Sequence, residues 1–128
     1  MEEASKLVNC PPVDAEPASG EVFRCGKNNP VSGADMQTHE ETRRAPDADP
    51  CLRRALSVFR SRTDAEHQIL LFRRWRKKFI FKARLSPQHG STKLTSGRQP
   101  SHTSWWTADG LSPERRAALF TMVETIES

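Results

Sequence analysis

Residues 69–85 read ILLFRRWRKKFIFKARL, and the interpretation of the whole chain starts from this stretch. It carries seven basic side chains, no acidic one, and the densest group of apolar and aromatic residues in the sequence. Drawn as a helix at about 100° per residue, it places most apolar residues on one half of the wheel and most basic residues on the other. Arg76 and Lys82 interrupt the apolar half, and Leu70, Phe81 and Leu85 interrupt the basic half.

Signals at both ends favour a helix over about residues 64–85. Thr63 and Glu66 fit a capping box, with Thr63 as the N-cap, and Ser86-Pro87 disfavours continuation. The alternative is a strand at the end of the stretch, where two sets of residues alternate: Phe79, Phe81, Ala83 and Leu85 against Ile80, Lys82 and Arg84.

Like charges lie four residues apart in this helix, in the pairs Arg73/Lys77, Arg74/Lys78 and Lys78/Lys82. At about 0.2–0.5 kcal/mol each, they destabilise the helix by about 1 kcal/mol together. An acidic partner would relieve this repulsion, so we expect the helix to become ordered on binding.

The composition predicts a mostly disordered chain with short α-helices (all-α) and no sheet. Hydrophobic residues make up 35% of the 128 residues, there are nine prolines, and mean hydropathy is −0.71. A globular protein has about 45–50% apolar residues, so a large buried core is not expected. Asp49-Pro50 and Ser112-Pro113 are helix starts, and the expected helices cover about residues 50–61, 64–85 and 113–126.

Changes in composition and charge along the sequence divide it into four regions. We expect a disordered acidic arm at 1–48, a basic helical segment at 49–86, a Ser/Thr-rich linker at 87–104 and a short C-terminal helix at 105–128. The formal charge is −5 over residues 1–50, +11 over 51–104 and −2 over 105–128. The basic middle is therefore the expected binding surface.

Cys10, Cys25 and Cys51 are odd in number and widely spaced, which indicates three reduced thiols rather than a disulfide framework or a metal site. The start, MEEASKLV, has neither a secretory signal nor an Arg-rich transit peptide, and no apolar run is long enough to span a membrane. We expect an intracellular protein, cytoplasmic or nuclear. Catalytic and phosphate-loop motifs are absent from the sequence, so we expect no enzyme, no cofactor and no small-molecule substrate.

Residues 73–80, RRWRKKFI, resemble the calmodulin-binding segment of skeletal myosin light-chain kinase. The resemblance covers about eight residues and departs at the distal anchor, where Lys82 and Gln88 are polar. It implies an acidic protein partner, such as calmodulin, with bulky anchors in its groove and basic residues at its rim. The predicted binding residues are Leu71, Phe72, Arg73, Arg74, Trp75, Arg76, Lys77, Lys78, Phe79, Ile80, Lys82 and Leu85.

The same basic residues support other hypotheses. The first alternative is a nuclear or nucleic-acid-associated protein, in which they serve as an import signal or contact phosphates, with Trp75 and Phe79 available to stack on bases. Binding to a membrane surface is disfavoured. In a further alternative the helix has no partner, and its apolar side packs on residues 50–61 and 105–126. Separately, RALSVF at residues 54–59 makes Ser57 a candidate phosphorylation site.

Overall fold

A computed structural model describes residues 9–126 of the chain. Within this range the polypeptide forms an antiparallel sheet of seven strands with short helices on both faces. The strands are β1 (Glu16–Pro17), β2 (Gly20–Gly26), β3 (Leu56–Phe59), β4 (Phe79–Leu85), β5 (Gly90–Leu94), β6 (His102–Thr107) and β7 (Thr121–Thr125). The helices are α1 (His39–Thr42), α2 (Pro50–Arg53), α3 (Arg62–Leu71) and α4 (Pro113–Ala117).

The strands lie in the order β1-β5-β6-β3-β2-β4-β7. The longest ladder joins β2 to β4 over seven residue pairs, from Gly20–Leu85 to Gly26–Phe79. By contrast, β2 pairs with β3 only at Phe23–Phe59, so these two central strands separate beyond that point. The separation opens the sheet and creates the cleft described below.

The core has two layers, one on each face of the sheet. On one face, α4 and the 3-10 turn Gly33–Met36 cover a cluster that includes Leu56, Phe81 and Trp105. On the other face, α3 covers a smaller cluster that includes Phe23, Ile69 and Ile80. The sheet is therefore covered by helices on both sides.

The prediction of a mostly disordered, all-α chain without a sheet is wrong. The helix expected at 64–85 is α3, which ends at Leu71; a 3-10 turn (Arg73–Trp75) and strand β4 follow it. Its N-cap is Ser61 rather than Thr63, since the Ser61 hydroxyl accepts from the Asp64 amide. The helix ends where the like-charge pairs begin, and β4 has the alternation that defined the strand alternative: Phe81, Ala83 and Leu85 join one core layer and Ile80 the other.

The other two expected helices are also too long. The Asp49-Pro50 start is confirmed, because the Asp49 carboxylate accepts from two amides of the first turn, but α2 ends at Arg53 and β3 follows. The Ser112-Pro113 start is likewise confirmed, yet α4 ends at Ala117 and Thr121–Thr125 pairs with β4. Pairing with a distant strand overrode the local helical spacing in both places.

The segments expected to be disordered contain strands. Residues 16–26 of the acidic arm contribute β1 and β2, and the Ser/Thr-rich linker contributes β5 and the start of β6. Threonine is favoured in strands. Although β5 itself has few apolar residues, it pairs with β6, whose Trp105 and Trp106 rings are buried. The described chain is thus ordered where its composition suggested a linker.

The expectation of three reduced thiols is also wrong. Cys10 and Cys51, separated by 41 residues, form a disulfide with 5.6 Å between their Cα atoms, while Cys25 is free and buried. The spacing of cysteines along the sequence cannot predict this pairing, because a disulfide depends on how close the two residues lie in the folded chain. Separately, each helix within residues 9–126 is too short or too polar to cross a membrane.

Candidate functional site: a basic cleft between two strands

The cleft opens where β2 and β3 separate, and it has a volume of about 800 Å³. Six cationic side chains and one carboxylate, that of Asp35, line it. The cations are Arg24, Lys27, Arg44, Arg74, Arg76 and Lys77. This concave, strongly positive surface is suited to an anionic ligand and has the volume of an ordinary ligand pocket.

Arg24 lies at the base of the cleft, on β2, and is 9% exposed. Its Nε donates to the backbone carbonyl of Asp35 at 2.9 Å, and its Nη1 donates to the carbonyl of Ser57 at 2.8 Å. Both partners are neutral, and no carboxylate among residues 9–126 forms a salt bridge with it. Burial lowers the pKa of Arg24 to about 10, which leaves the guanidinium charged at neutral pH.

The carboxylate of Asp35 accepts hydrogen bonds from the turn that precedes it and forms no salt bridge with Arg24. Its two oxygens accept from the backbone amides of Lys27 and Ser32 and from the side chain of Asn28, at 2.8–3.1 Å. The carboxylate therefore holds the 27–35 loop in shape, and its charge acts on Arg24 and Lys77 without forming a salt bridge with either, which raises the pKa of both against the effect of burial.

Lys77 is a second, half-buried cation of the cleft. It follows Arg76, which adopts a left-handed conformation (φ 60°) at the end of the 3-10 turn and returns the chain toward Gly26, whose carbonyl accepts from the Lys78 amide. Burial, with nearby Arg24, lowers the pKa of Lys77 to about 8. Its ammonium lies 5.7 Å from the centre of the Trp75 ring, and the described residues offer it no carboxylate within 4.0 Å.

An aromatic pair forms one wall of the cleft. The rings of Phe72 and Trp75 are parallel to within 6° and their centres are 4.1 Å apart. Arg74 lies within 6 Å of both ring centres, and Arg98 lies 5.4 Å from that of Phe72. Trp75 is 40% exposed, so this wall presents aromatic surface and positive charge together.

The structure separates the predicted binding residues into three groups. Phe72, Arg74, Trp75, Arg76 and Lys77 line the cleft. Arg73 and Lys78 line an adjoining concavity, with Arg74, Arg76 and Lys77 shared between the two.

The remaining predicted residues lie elsewhere. Ile80 and Leu85 are buried in the two core layers, and Phe79 packs against one of them. Leu71 is 52% exposed, and Lys82 pairs with Glu21 at 3.5 Å. Ser57, the phosphorylation candidate, lines the cleft from β3.

Sequence reasoning missed Arg24, Lys27, Arg44 and His39, which come from the segment interpreted as a disordered arm. Burial and the surrounding cations lower the pKa of His39. The alternation of Val22, Phe23, Arg24 and Cys25 across the two faces of β2 was a weak signal, because only the pairing with β4 gives it meaning. Within residues 9–126, no three His, Cys, Asp or Glu side chains are grouped closely enough to hold a metal ion.

Comparisons with protein-family models, with curated proteins and with solved structures found no match for this chain.

Proposed function

We propose that this protein binds single-stranded nucleic acid, with backbone phosphates in the basic cleft. The observation that carries the proposal is the pair of a buried Arg24 and a half-buried Lys77, two cations that form no salt bridge with a carboxylate among the described residues. Keeping unpaired charges in such a place destabilises a folded protein, and a bound anion would offset that cost.

The aromatic wall favours a nucleic acid over other anions. Proteins that bind single strands combine a positive groove for the backbone with aromatic side chains on which bases stack. Trp75 and Phe72 stand beside Arg74, Arg76 and Lys77, so phosphate and base contacts are available to the same ligand. A membrane surface fits less well, because these cations line a concavity rather than a flat face.

Groove binding by an acidic protein such as calmodulin stays a prediction. It requires one helix over residues 64–85, but in this fold the helix ends at Leu71 and Ile80 and Leu85 are buried in the sheet. The partner would have to extract β4 from between β2 and β7. The geometry therefore supports the nucleic-acid alternative better.

The cellular compartment of the protein is a separate question from what it binds. A cytoplasmic or nuclear location stays a prediction, and the Cys10–Cys51 disulfide weighs against it, because such bonds persist mainly in oxidising compartments.

The test is the affinity for a fluorescein-labelled 12-nucleotide oligothymidylate, measured by fluorescence anisotropy over a series of salt concentrations. If all six cations of the cleft contact phosphates, log affinity falls against log salt with a slope of about −4, since each contact to a single strand contributes about −0.7. We expect Lys77→Gln to weaken binding by about tenfold.

Arg84→Gln is the matched control, because it removes the same charge from β4 at an exposed position that does not line the cleft. It is expected to change affinity by less than about twofold. A slope shallower than about −2, or equal weakening by the two substitutions, would remove the cleft as the binding site.

A further inference from the structure

Ser57 and His102 lie on the neighbouring strands β3 and β6, at the edge of the basic cleft. Oγ of Ser57 is 2.9 Å from Nε2 of His102, and the His102 ring packs edge-on against Phe59 with 5.6 Å between ring centres. Both Ser57 and Phe59 line the cleft. We propose that Ser57 and His102 are the nucleophile and general base of a hydrolase for carboxylic esters that carry an anionic group.

The hydrogen bonds of the two ring nitrogens of His102 fit the role of a general base. Its Nδ1 lies 2.9 Å from the backbone carbonyl oxygen of Thr95, which only accepts hydrogen bonds, and 3.1 Å from the Thr95 hydroxyl, which can also accept; we assign to His102 the tautomer with the proton on Nδ1, which satisfies both contacts. Nε2 of the neutral ring is then unprotonated and accepts from the Ser57 hydroxyl. The Thr95 carbonyl orients the base as the third member of a catalytic triad does.

Positive charge and a backbone donor stand where an oxyanion would form. The Ser57 carbonyl points toward β2, where it accepts from Nη1 of Arg24, and the amide of a strand residue points the same way as its carbonyl. Because β2 pairs with β3 only at Phe23–Phe59 in the described part of the chain, no strand of residues 9–126 pairs with this edge of Ser57. The Ser57 N–H and the Arg24 guanidinium therefore lie at the backbone of the proposed nucleophile, and we assign to them the stabilisation of the developing oxyanion.

The reaction balances without a cofactor. His102 Nε2 takes the proton from Ser57 Oγ, Oγ bonds to the ester carbon, and the bond from that carbon to the leaving oxygen breaks as His102 returns the proton to it. Water then attacks the acyl-Ser57 ester, gives a proton to His102, and releases the acid as Ser57 recovers its hydroxyl.

A second Ser–His contact in the molecule lacks these features and serves as a control. Nδ1 of His89 accepts from the Ser86 backbone amide at 3.0 Å, and the Ser86 hydroxyl is farther away, at 3.4 Å. The nitrogen nearest Ser86 is thus already occupied by an amide donor. Neither Ser86 nor His89 lines the basic cleft.

The first experiment is labelling of the whole chain with a fluorophosphonate, which bonds phosphorus to the attacking serine and expels fluoride. We expect one adduct per chain, located at Ser57 by peptide mass spectrometry, and its loss in His102→Gln while Ser86→Ala labels as wild type does. Labelling at Ser86, equal labelling of several serines, or none at Ser57 would overturn the proposal.

The second experiment compares two esters with acyl groups of four carbons, neutral 4-nitrophenyl butyrate and anionic mono-4-nitrophenyl succinate. Ser57→Ala, with its melting temperature checked against wild type, is expected to lower kcat for both by about 100-fold or more. A KM for the anionic ester that is no lower than for the neutral ester counts against the anionic substrate class. Undiminished turnover in Ser57→Ala overturns the assignment of the nucleophile.

The anionic character of the ester rests on the proposed function, whereas the assignment of Ser57 and His102 does not. Experiments can therefore contradict one without contradicting the other. The cleft predicts a lower KM for the anionic ester, which Lys77→Gln raises by about tenfold while kcat stays within about twofold. If Ser57 is labelled but oligothymidylate does not bind, nucleic acid is the wrong ligand and the dyad stands. If oligothymidylate binds and Ser57 is not labelled, the cleft stands and the dyad falls.

Discussion

Two buried arginines have opposite surroundings in this molecule. Arg116, on α4, is 6% exposed and makes a two-pronged salt bridge to Glu41 at 2.7 and 2.9 Å, while also donating to the carbonyls of Met36 and Leu111. Arg24, on β2, is 9% exposed and donates only to two carbonyls. The fold neutralises the first arginine, which acts as a structural clamp, and leaves the second facing the cleft, where it is the proposed binding group.

The clamp explains how a chain with so few apolar residues closes one face of its sheet. Arg116 joins α4 to Met36, at the end of the 3-10 turn that covers the larger core layer, and to Glu41 of α1. The hydrogen bonds from Arg116 hold the pKa of Glu41 below its ordinary value. The stability from this pair is therefore present at neutral pH and is lost as pH falls through the lowered pKa of Glu41.

The largest expected effect is the loss of this clamp. Glu41→Gln keeps an oxygen that can accept from the Thr38 amide but leaves Arg116 buried without a counter-charge. We expect unfolding in urea to show a loss of about 3 kcal/mol. Glu40→Gln is the matched control, since the Glu40 pair with Arg53 is more exposed and is worth less than about 1 kcal/mol. Equal losses in both variants would contradict the role given to Arg116.

Arg24→Met tests the other side of the comparison. The substitution removes a buried charge without a carboxylate partner but also leaves the Asp35 and Ser57 carbonyls without their donor. These effects oppose each other, so we expect the free energy of unfolding to change by less than about 1.5 kcal/mol. Binding of oligothymidylate is expected to weaken by at least about tenfold. A loss of stability as large as that of Glu41→Gln, with affinity unchanged, would make Arg24 a structural residue.

Sequence reasoning located two of the three predicted helix starts and half of the cations of the cleft. Asp49-Pro50 and Ser112-Pro113 act within one turn of helix, so the local sequence is sufficient to predict them. The cations of residues 74–77 stood out because they lie close together in the sequence, whereas Arg24 and Lys77 come together only through the pairing of β2 with β4. The strand alternation of residues 79–85 was visible, but the same letters fit a helix, and only the neighbouring strands decide between the two.

The same limit applies to the Ser57–His102 pair. Ser57 stood out in the sequence for a different reason, the basic residues before it, while His102 lies 45 residues away in a stretch interpreted as a linker. The hydrogen bond between them depends on the register of β3 against β6, where Phe59 faces His102 and Ser57 faces Ser104. A shift of one residue would turn these side chains to opposite faces.

The smallest expected effect is a dependence on pH that separates stability from binding. Burial lowers the pKa of Lys77 from 10.5 to about 8 in the folded protein, so between these values the unfolded chain binds more protons than the folded one. The contribution of Lys77 to the free energy of unfolding therefore rises with pH across this window. If Lys77 contacts phosphate as proposed, affinity for oligothymidylate is expected to fall as pH rises through the folded pKa of about 8, because the ammonium loses its charge.

Lys77→Gln tests the pH dependence of stability and that of affinity together, since it removes the titrating group and leaves the other cations of the cleft in place. We expect wild-type affinity to fall by a few-fold between about pH 7 and 9 while the urea midpoint rises, and both trends to flatten in Lys77→Gln. Arg84→Gln is expected to keep the wild-type slopes, because Arg84 does not line the cleft. If affinity and stability instead fall together with rising pH, Lys77 is charged through a partner within the fold, and the contrast with Arg116 does not extend to it.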